Sequence, residues 1–138
     1  MNRIVAGALA AAIWIGAGSS AEAARPRKFD MICDTETNAS FGATRLPTQR
    51  STVRYAFDLD EMDFCIVAQC RMGLEEVLEG DDNRVVARHF ARIDFTIDRN
   101  DGTFSAHSEA DMLGTYSVTD RRGTCREAPF TPFPPEAY

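Results

Sequence analysis

Residues Thr52 to Cys70, TVRYAFDLDEMDFCIVAQC, carry the clearest structural signals of this sequence. In the first half, Val53, Tyr55, Phe57 and Leu59 alternate with polar or small residues. This alternation places apolar side chains on one face and polar ones on the other, which predicts a strand lying between a protein core and solvent. A turn and a short returning strand are expected to follow.

The acidic residues of this stretch predict a solvated turn. They are Asp58, Asp60, Glu61 and Asp63. Carboxylates at alternate positions could hold calcium, but the stretch lacks the glycine and the final glutamate of an EF-hand loop. The turn also offers an acidic surface that suits contact with a basic partner.

The first 23 residues have the features of a secretory signal peptide. Ile4 to Gly18 is an apolar run, and Ala21-Glu22-Ala23 matches the cleavage pattern that follows such runs. The run is shorter than the ~20 residues that a membrane span needs. We therefore expect a single β-rich domain at residues 24–138, with no membrane span after signal removal, and with an extended proline-rich tail at residues 128–138.

Alternating apolar residues recur along the chain and predict about seven short strands. Short strands separated by turn residues are typical of β-sandwiches and β-barrels. We expect an all-β fold, an antiparallel meander closing into a small barrel or sandwich, because closure removes exposed strand edges. The predicted strands are 29–36, 52–59, 64–68, 84–90, 93–98, 103–109 and 115–125.

Three connecting segments differ in how clearly they can be interpreted. The polar residues 38–51 predict a long loop, and residues 72–79 fit either a short strand or one helical turn. The sequence Arg99-Asn100-Asp101-Gly102 predicts a hairpin turn, since Asn, Asp and Gly tolerate positive φ. That turn would place Ile97 opposite Phe104.

The four cysteines predict two disulfide bonds, as is usual for small exported domains with an even cysteine count. Of the three pairings, we favour Cys65–Cys70 and Cys33–Cys125. The second bond would join the first and last strands, which are neighbours only if the meander closes. The spacings lack the C-x2-C pair of zinc knuckles, so we expect no metal site.

Composition excludes several classes of function. The chain has 15 basic and 21 acidic residues and a net charge of −6, which argues against a nucleic-acid partner and against an anionic membrane surface. No P-loop, dinucleotide fingerprint, G-x-S-x-G or H-E-x-x-H motif is present. His89 and His107, the only histidines, fall inside predicted strands. We expect no catalytic residue, no cofactor and no enzymatic activity.

Several short motifs, taken together, resemble a group of small, exported, β-rich bacterial proteins with four cysteines and no assigned function. The resemblance covers most of the chain after residue 23, and it implies no activity. The motifs are FDMIC at 29–33, DLD at 58–60, the cysteines at 65 and 70, IDR at 97–99, GTC at 123–125 and PFTPFP at 129–134.

These features favour a periplasmic or secreted binding protein. A small hydrophobic ligand inside the barrel is the first candidate, although in a small barrel the inward side chains more often fill the interior. The alternative is an envelope interaction module, such as an inhibitor of a secreted enzyme, that contacts a basic protein through residues 38–51 or the acidic turn. The expected inward residues are Val53, Tyr55, Phe57, Ile93, Phe95 and Ile97.

Overall fold

The computed structural model describes residues 24–138, and the predicted signal peptide lies outside these residues. Two short 3-10 helices, Val67–Met72 and Pro135–Ala137, accompany nine strands. In chain order the strands are β1 (Lys28–Phe41), β2 (Thr44–Arg45), β3 (Gln49–Asp58), β4 (Asp63–Ile66), β5 (Glu75–Gly80), β6 (Arg84–His89), β7 (Ile93–Asp98), β8 (Thr103–Met112) and β9 (Thr115–Ala128).

Eight of these strands form a closed antiparallel barrel, as the sequence predicted. Neighbours follow the order β1-β3-β4-β5-β6-β7-β8-β9, and β9 pairs back with β1. The two-residue strand β2 pairs only with the end of β1. The predicted pairing of Ile97 with Phe104 is confirmed.

Both predicted disulfides are present. Cys33 and Cys125 lie directly opposite each other where β9 meets β1, a strand pair that we call the closing pair. Cys65–Cys70 ties β4 to the 3-10 helix that follows it. Such bonds indicate an oxidising, non-cytoplasmic location. Among residues 24–138, no helix has the length and apolar character needed to cross a membrane.

Aromatic side chains fill the barrel core. The rings of Phe29 and Phe57 stack with their centroids 5.4 Å apart, and Phe64 meets Phe57 at 5.5 Å. The inward positions of the strands therefore bury large aromatic rings, as expected for strands in which apolar and polar residues alternate. The other buried members of this core are Met31, Cys33, Tyr55, Leu59, Val77, Val85, Ala87, Phe95, Ile97 and Phe104.

Arg99 closes one end of the barrel, which we call the closed end. Its guanidinium carbon lies 3.9 Å from the centroid of the Phe29 ring. The guanidinium donates to the backbone carbonyls of Asp81 at 3.0 Å and Pro26 at 2.9 Å, and it pairs with Glu127. A buried guanidinium needs such partners, because an unpaired charge in this position would be costly.

The C-terminal tail lies against the outside of the barrel. Phe130 and Phe133 pack against a second buried cluster, which contains Cys65 and Cys70. Asp30, on the outer face of β1, is completely buried beneath the tail. It accepts a hydrogen bond from the backbone amide of Thr131 at 2.9 Å and forms an ion pair with Arg54 at 2.6 Å.

The predicted loop at residues 38–51 is too long: the connection between β1 and β3 spans residues 42–48 and contains the short strand β2. β1 continues to Phe41 and pairs with β9 from Asn38↔Asp120 to Phe41↔Ser117, and β3 begins at Gln49. Partner strands supply the backbone hydrogen bonds here, so pairing overrides the polar composition. For residues 72–79 the sequence left a short strand or one helical turn open. The structure shows a strand, β5, from Glu75 onward, and Met72 is the last residue of the 3-10 helix.

Candidate binding site at the open end of the barrel

The end opposite Arg99 is open. There β1, β8 and β9 extend outward and pair as far as Phe41↔Ser117 and Met112↔Thr115. The alternation that points Phe104 inward also turns Ser108, Ala110 and Met112 toward the mouth of the barrel. The extension thus continues one wall of the interior as an uncharged surface.

A pocket of about 220 Å³ lies in this mouth. Its floor is aromatic, since the ring centroids of Tyr55 and Phe95 are 5.1 Å apart and those of Phe95 and Phe104 are 5.4 Å apart. This volume is below the ~300–1,000 Å³ of pockets for drug-sized molecules, so only a small ligand fits. The full lining is Thr37, Tyr55, His89, Ile93, Phe95, Phe104, Ala106, His107, Ser108, Thr119 and Arg121.

Arg121 is the main charged group of the pocket wall. It points inward from β9, where its Nε donates to the hydroxyl of Thr35 at 2.9 Å. Its Nη2 reaches the hydroxyl of Ser51 at 3.4 Å, and its guanidinium carbon lies 5.3 Å from the Phe104 ring centroid. Within residues 24–138, this guanidinium forms no ion pair. A half-buried cation with neutral partners favours an incoming anion.

Tyr55 adds a hydroxyl to the same wall. Burial raises the pKa of Tyr55, while the positive charge of Arg121 lowers it, and the net shift is upward. The phenol therefore stays protonated at neutral pH and can donate a hydrogen bond. Together, Arg121 and Tyr55 provide two donors beside an apolar floor.

His89 lies on another part of the lining and is held by an acid. Its Nδ1 is 2.8 Å from a carboxylate oxygen of Glu75, and that carboxylate also accepts the backbone amide of Phe90 at 2.7 Å. In the described part of the chain, the imidazole of His89 hydrogen-bonds to Glu75 alone. An acyl-transfer site would need a hydroxyl or thiol in contact with the histidine.

The acidic turn lies at the closed end, away from the pocket. Asp58 accepts the backbone amides of Asp60 at 3.0 Å and Glu61 at 3.2 Å, so its carboxylate shapes the turn. Asp60 pairs with Arg27 at 2.6 Å. Burial and the neighbouring charges of Glu61 and Asp58 raise the pKa of Asp63. Two of the four acids are thus engaged within the protein.

The inward residues named from the sequence divide between the core and the pocket. Tyr55, Phe57, Phe95 and Ile97 are buried, while Val53 and Ile93 are half-buried. Ile93 lines the pocket together with Tyr55 and Phe95. The barrel is therefore filled over most of its length and hollow only at the mouth.

His107 lies at the mouth with its ring bound on the outer face. Its Nδ1 is 2.6 Å from Asp120 and its Nε2 is 3.0 Å from Glu109. The hydrogen bond to Asp120, followed by that to Glu109, raises the pKa of His107. The imidazolium is the form that both carboxylates favour.

This arrangement predicts a pH-dependent contribution to stability. A raised folded-state pKa stabilises the protein below the unfolded value, near 6.5, and the benefit disappears as pH rises through the folded-state value. We expect His107→Gln to lower the melting temperature at about pH 5.5 and to change it little at about pH 9. The melting temperatures of both proteins at both pH values test this, and an equal difference at the two would contradict it.

Arg121 was not identified as a candidate site residue from the sequence. Thr119-Asp120-Arg121-Arg122 shows no apolar alternation, so the inward face of β9 cannot be read from these residues alone. One signal could have found it. Cys125 must point toward Cys33 to form the closing disulfide, and Arg121 lies four residues before it, on the same face of the strand.

A larger depression, of about 820 Å³, is a shallow groove on the outer face of β1, β3 and β9. Its polar groups already bind each other, as Thr52 donates to Asp34 at 2.6 Å and Arg50 lies 3.5 Å from Glu36. An open groove excludes little water, so it holds a small ligand less well than the mouth pocket does.

No protein-family model, curated protein or solved structure matches this chain. The chemistry of the open end is therefore the basis for the functional proposal.

Proposed function

We propose that this is a non-enzymatic binding protein for a small amphipathic anion, held in the mouth of the barrel. The observation that carries the proposal is Arg121, an inward cation with only neutral partners beside an aromatic floor. A ligand with an apolar body would cover Tyr55, Phe95 and Phe104, and its carboxylate would bind the guanidinium.

The polar surroundings of the pocket support binding rather than catalysis. The hydroxyls of Thr35 and Ser51 hold the Arg121 side chain in place, and the carboxylate of Glu75 fixes the ring of His89. Fixed donors lose little conformational entropy when a ligand arrives, which favours affinity.

We also propose that the protein acts in the periplasm or outside the cell. The two disulfides support an oxidising compartment, and the A-x-A pattern at residues 21–23 supports export. Contact with a basic envelope protein through the acidic turn has less support. Asp58 is occupied by backbone amides and Asp60 by Arg27, which leaves fewer free charges for a partner.

Phenylacetate and its neutral amide form a matched pair of probes for this pocket. We expect the carboxylate to bind at least about tenfold more tightly than the amide, because a charge-assisted hydrogen bond adds about 1.5–3 kcal/mol. Titration calorimetry and chemical-shift changes at Phe95 and Phe104 would measure the affinities and locate the ligand.

Arg121→Gln should abolish the preference for the carboxylate while keeping the weak binding of the amide. Arg122→Gln is the matched control, because Arg122 is exposed and its neighbour in sequence, on the opposite face of β9. Equal loss in both variants would contradict the assignment of Arg121, and so would binding of neither probe by the unmodified protein.

A further inference from the structure

The open end carries exposed apolar side chains on all four of its strand connections, residues 42–48, 67–74, 90–92 and 113–114. We call these four side chains the apolar rim. They are Leu46, Met72, Phe90 and Leu113, whose relative solvent accessibilities are 46%, 86%, 69% and 106%. Exposed large apolar groups gathered at one end of a small protein mark a contact surface.

Two rim residues occupy backbone conformations that disfavour them. Phe90 and Leu113 have φ values of 52° and 54°, in the left-handed region. Hairpin turns of this kind normally use Asn, Asp or Gly, as the closed-end turn at Asn100-Asp101-Gly102 does. Met62 also has a positive φ, but its side chain packs against the core. Fold stability therefore does not explain the apolar residues at the two open-end tips.

The connections at the two ends of the barrel also differ in charge. The four open-end connections contain Arg45, Arg71 and Arg92 and no acidic residue. All three arginines are exposed, and within the described chain none of them forms an ion pair. The nearest acids on β8, Glu109 and Asp111, lie on the face turned away from the mouth.

The closed-end connections, residues 59–62, 81–83 and 99–102, are acidic. Their only base is Arg99, which is buried. Arg27 and Lys28 also lie at this end, where they pair with Asp60 and Asp58. The closed-end connections thus carry acids with partly paired charges, whereas the open-end connections are positive although the net charge is −6. The acidic residues of these connections are Asp60, Glu61, Asp81, Asp82 and Asp101.

We propose that the open end docks onto an anionic lipid bilayer, with the apolar rim inserted among the headgroups. Apolar side chains interspersed with arginine are the combination that anionic membrane interfaces attract. The rim residues come from four separate connections around a recessed pocket. A fluid interface can close around separate tips, whereas a protein partner needs a continuous complementary patch of about 800 Å².

The proposed docking differs from the expectation, based on net charge, that an anionic membrane surface repels the chain, because it depends on the charge of one end only. The acidic closed end points away from the membrane in the docked orientation. The pocket mouth then faces the bilayer surface. The docking surface is separate from Arg121 and does not rest on the proposed ligand.

The test is co-sedimentation with phosphatidylcholine vesicles, with and without phosphatidylglycerol as half of the lipid. The closed barrel and both disulfides lie within residues 24–138, so this part is tested without the apolar N-terminal segment. We expect binding to the anionic vesicles only, weakening as salt is added.

Phe90→Asn with Leu113→Asn should lower the anionic-vesicle partition coefficient at least about tenfold, because two apolar side chains no longer leave water. Asn accepts the left-handed conformation, so this double variant should melt no lower than the unmodified protein. Loss of binding without loss of stability is the signature of side chains kept for contact.

Arg45→Gln, Arg71→Gln and Arg92→Gln combined should weaken anionic-vesicle binding about a hundredfold, at a factor of about five per arginine. Arg84→Gln at the closed end is the matched control and should change nothing. Equal binding to neutral vesicles, or undiminished binding by the rim variants, would overturn the proposal. Absence of vesicle binding would also overturn it.

Discussion

Replacing Cys33 and Cys125 together by alanine should lower the free energy of unfolding by about 4–5 kcal/mol. The bond closes a loop with a sequence separation of 92 residues, and the entropy of so long a loop in the unfolded chain is large. It also lies in the closing pair, which contains the strands that hold the barrel shut. Urea unfolding followed by circular dichroism would measure the loss.

The second disulfide supplies a matched control for this measurement. Cys65 and Cys70 are both buried, and their sequence separation is only 5 residues. The double alanine variant of this pair should lose about 2 kcal/mol, because a short loop restricts the unfolded chain less. Equal losses for the two bonds would show that strain or packing outweighs loop entropy.

Asp30→Ala should be strongly destabilising, with a loss of about 3 kcal/mol in the free energy of unfolding. The carboxylate is completely buried, and its removal leaves the amide of Thr131 without an acceptor. Removing one partner of a buried ion pair typically costs about 3–5 kcal/mol. We expect the lower end of this range, because the Arg54 side chain is 40% exposed and keeps part of its hydration. Urea unfolding and limited proteolysis of the tail would measure the effect.

Asp30→Asn separates the charge from the hydrogen bonds. The amide oxygen of asparagine can still accept from Thr131, while the attraction to Arg54 is lost. We therefore expect an intermediate loss and a tail that stays bound to the barrel. A tail cleaved equally fast in both variants would show that the charge of Asp30, and not its shape, holds the tail.

The closed barrel was predictable because its signals are local. The alternation at Val53, Tyr55 and Phe57 defines an inward face, and the Asn100-Asp101-Gly102 turn fixes the Ile97–Phe104 pairing. The number of cysteines predicted two disulfides, and the favoured pairing among the three possible ones was the one that joins the first and last strands of a closed meander. These features depend on neighbouring residues or on one long-range bond, so the sequence alone reveals them.

The candidate site was not predictable in the same way. Arg121 enters the pocket because the closing pair places it opposite Thr37, and nothing near it in the sequence shows that register. Asp30 looks like one more polar residue on the outer face of a strand until the tail folds over it. Both roles arise from contacts between residues far apart in the chain, and neither the local sequence nor the composition indicates them.

The closing pair determines when the barrel can be completed. Ribosomes add about 5–20 residues per second, so the 92 positions from Cys33 to Cys125 separate the two strands by roughly 5–18 seconds of synthesis. Throughout that interval β1 has an unpaired edge toward the missing β9, and unpaired edges invite aggregation. Before Cys125 arrives, the available partners for Cys33 are Cys65 and Cys70, so a chain that is oxidised only after β9 has arrived avoids these incorrect pairings. Delivery across a membrane in unfolded form, followed by oxidation, would thus suit this topology better than folding during synthesis.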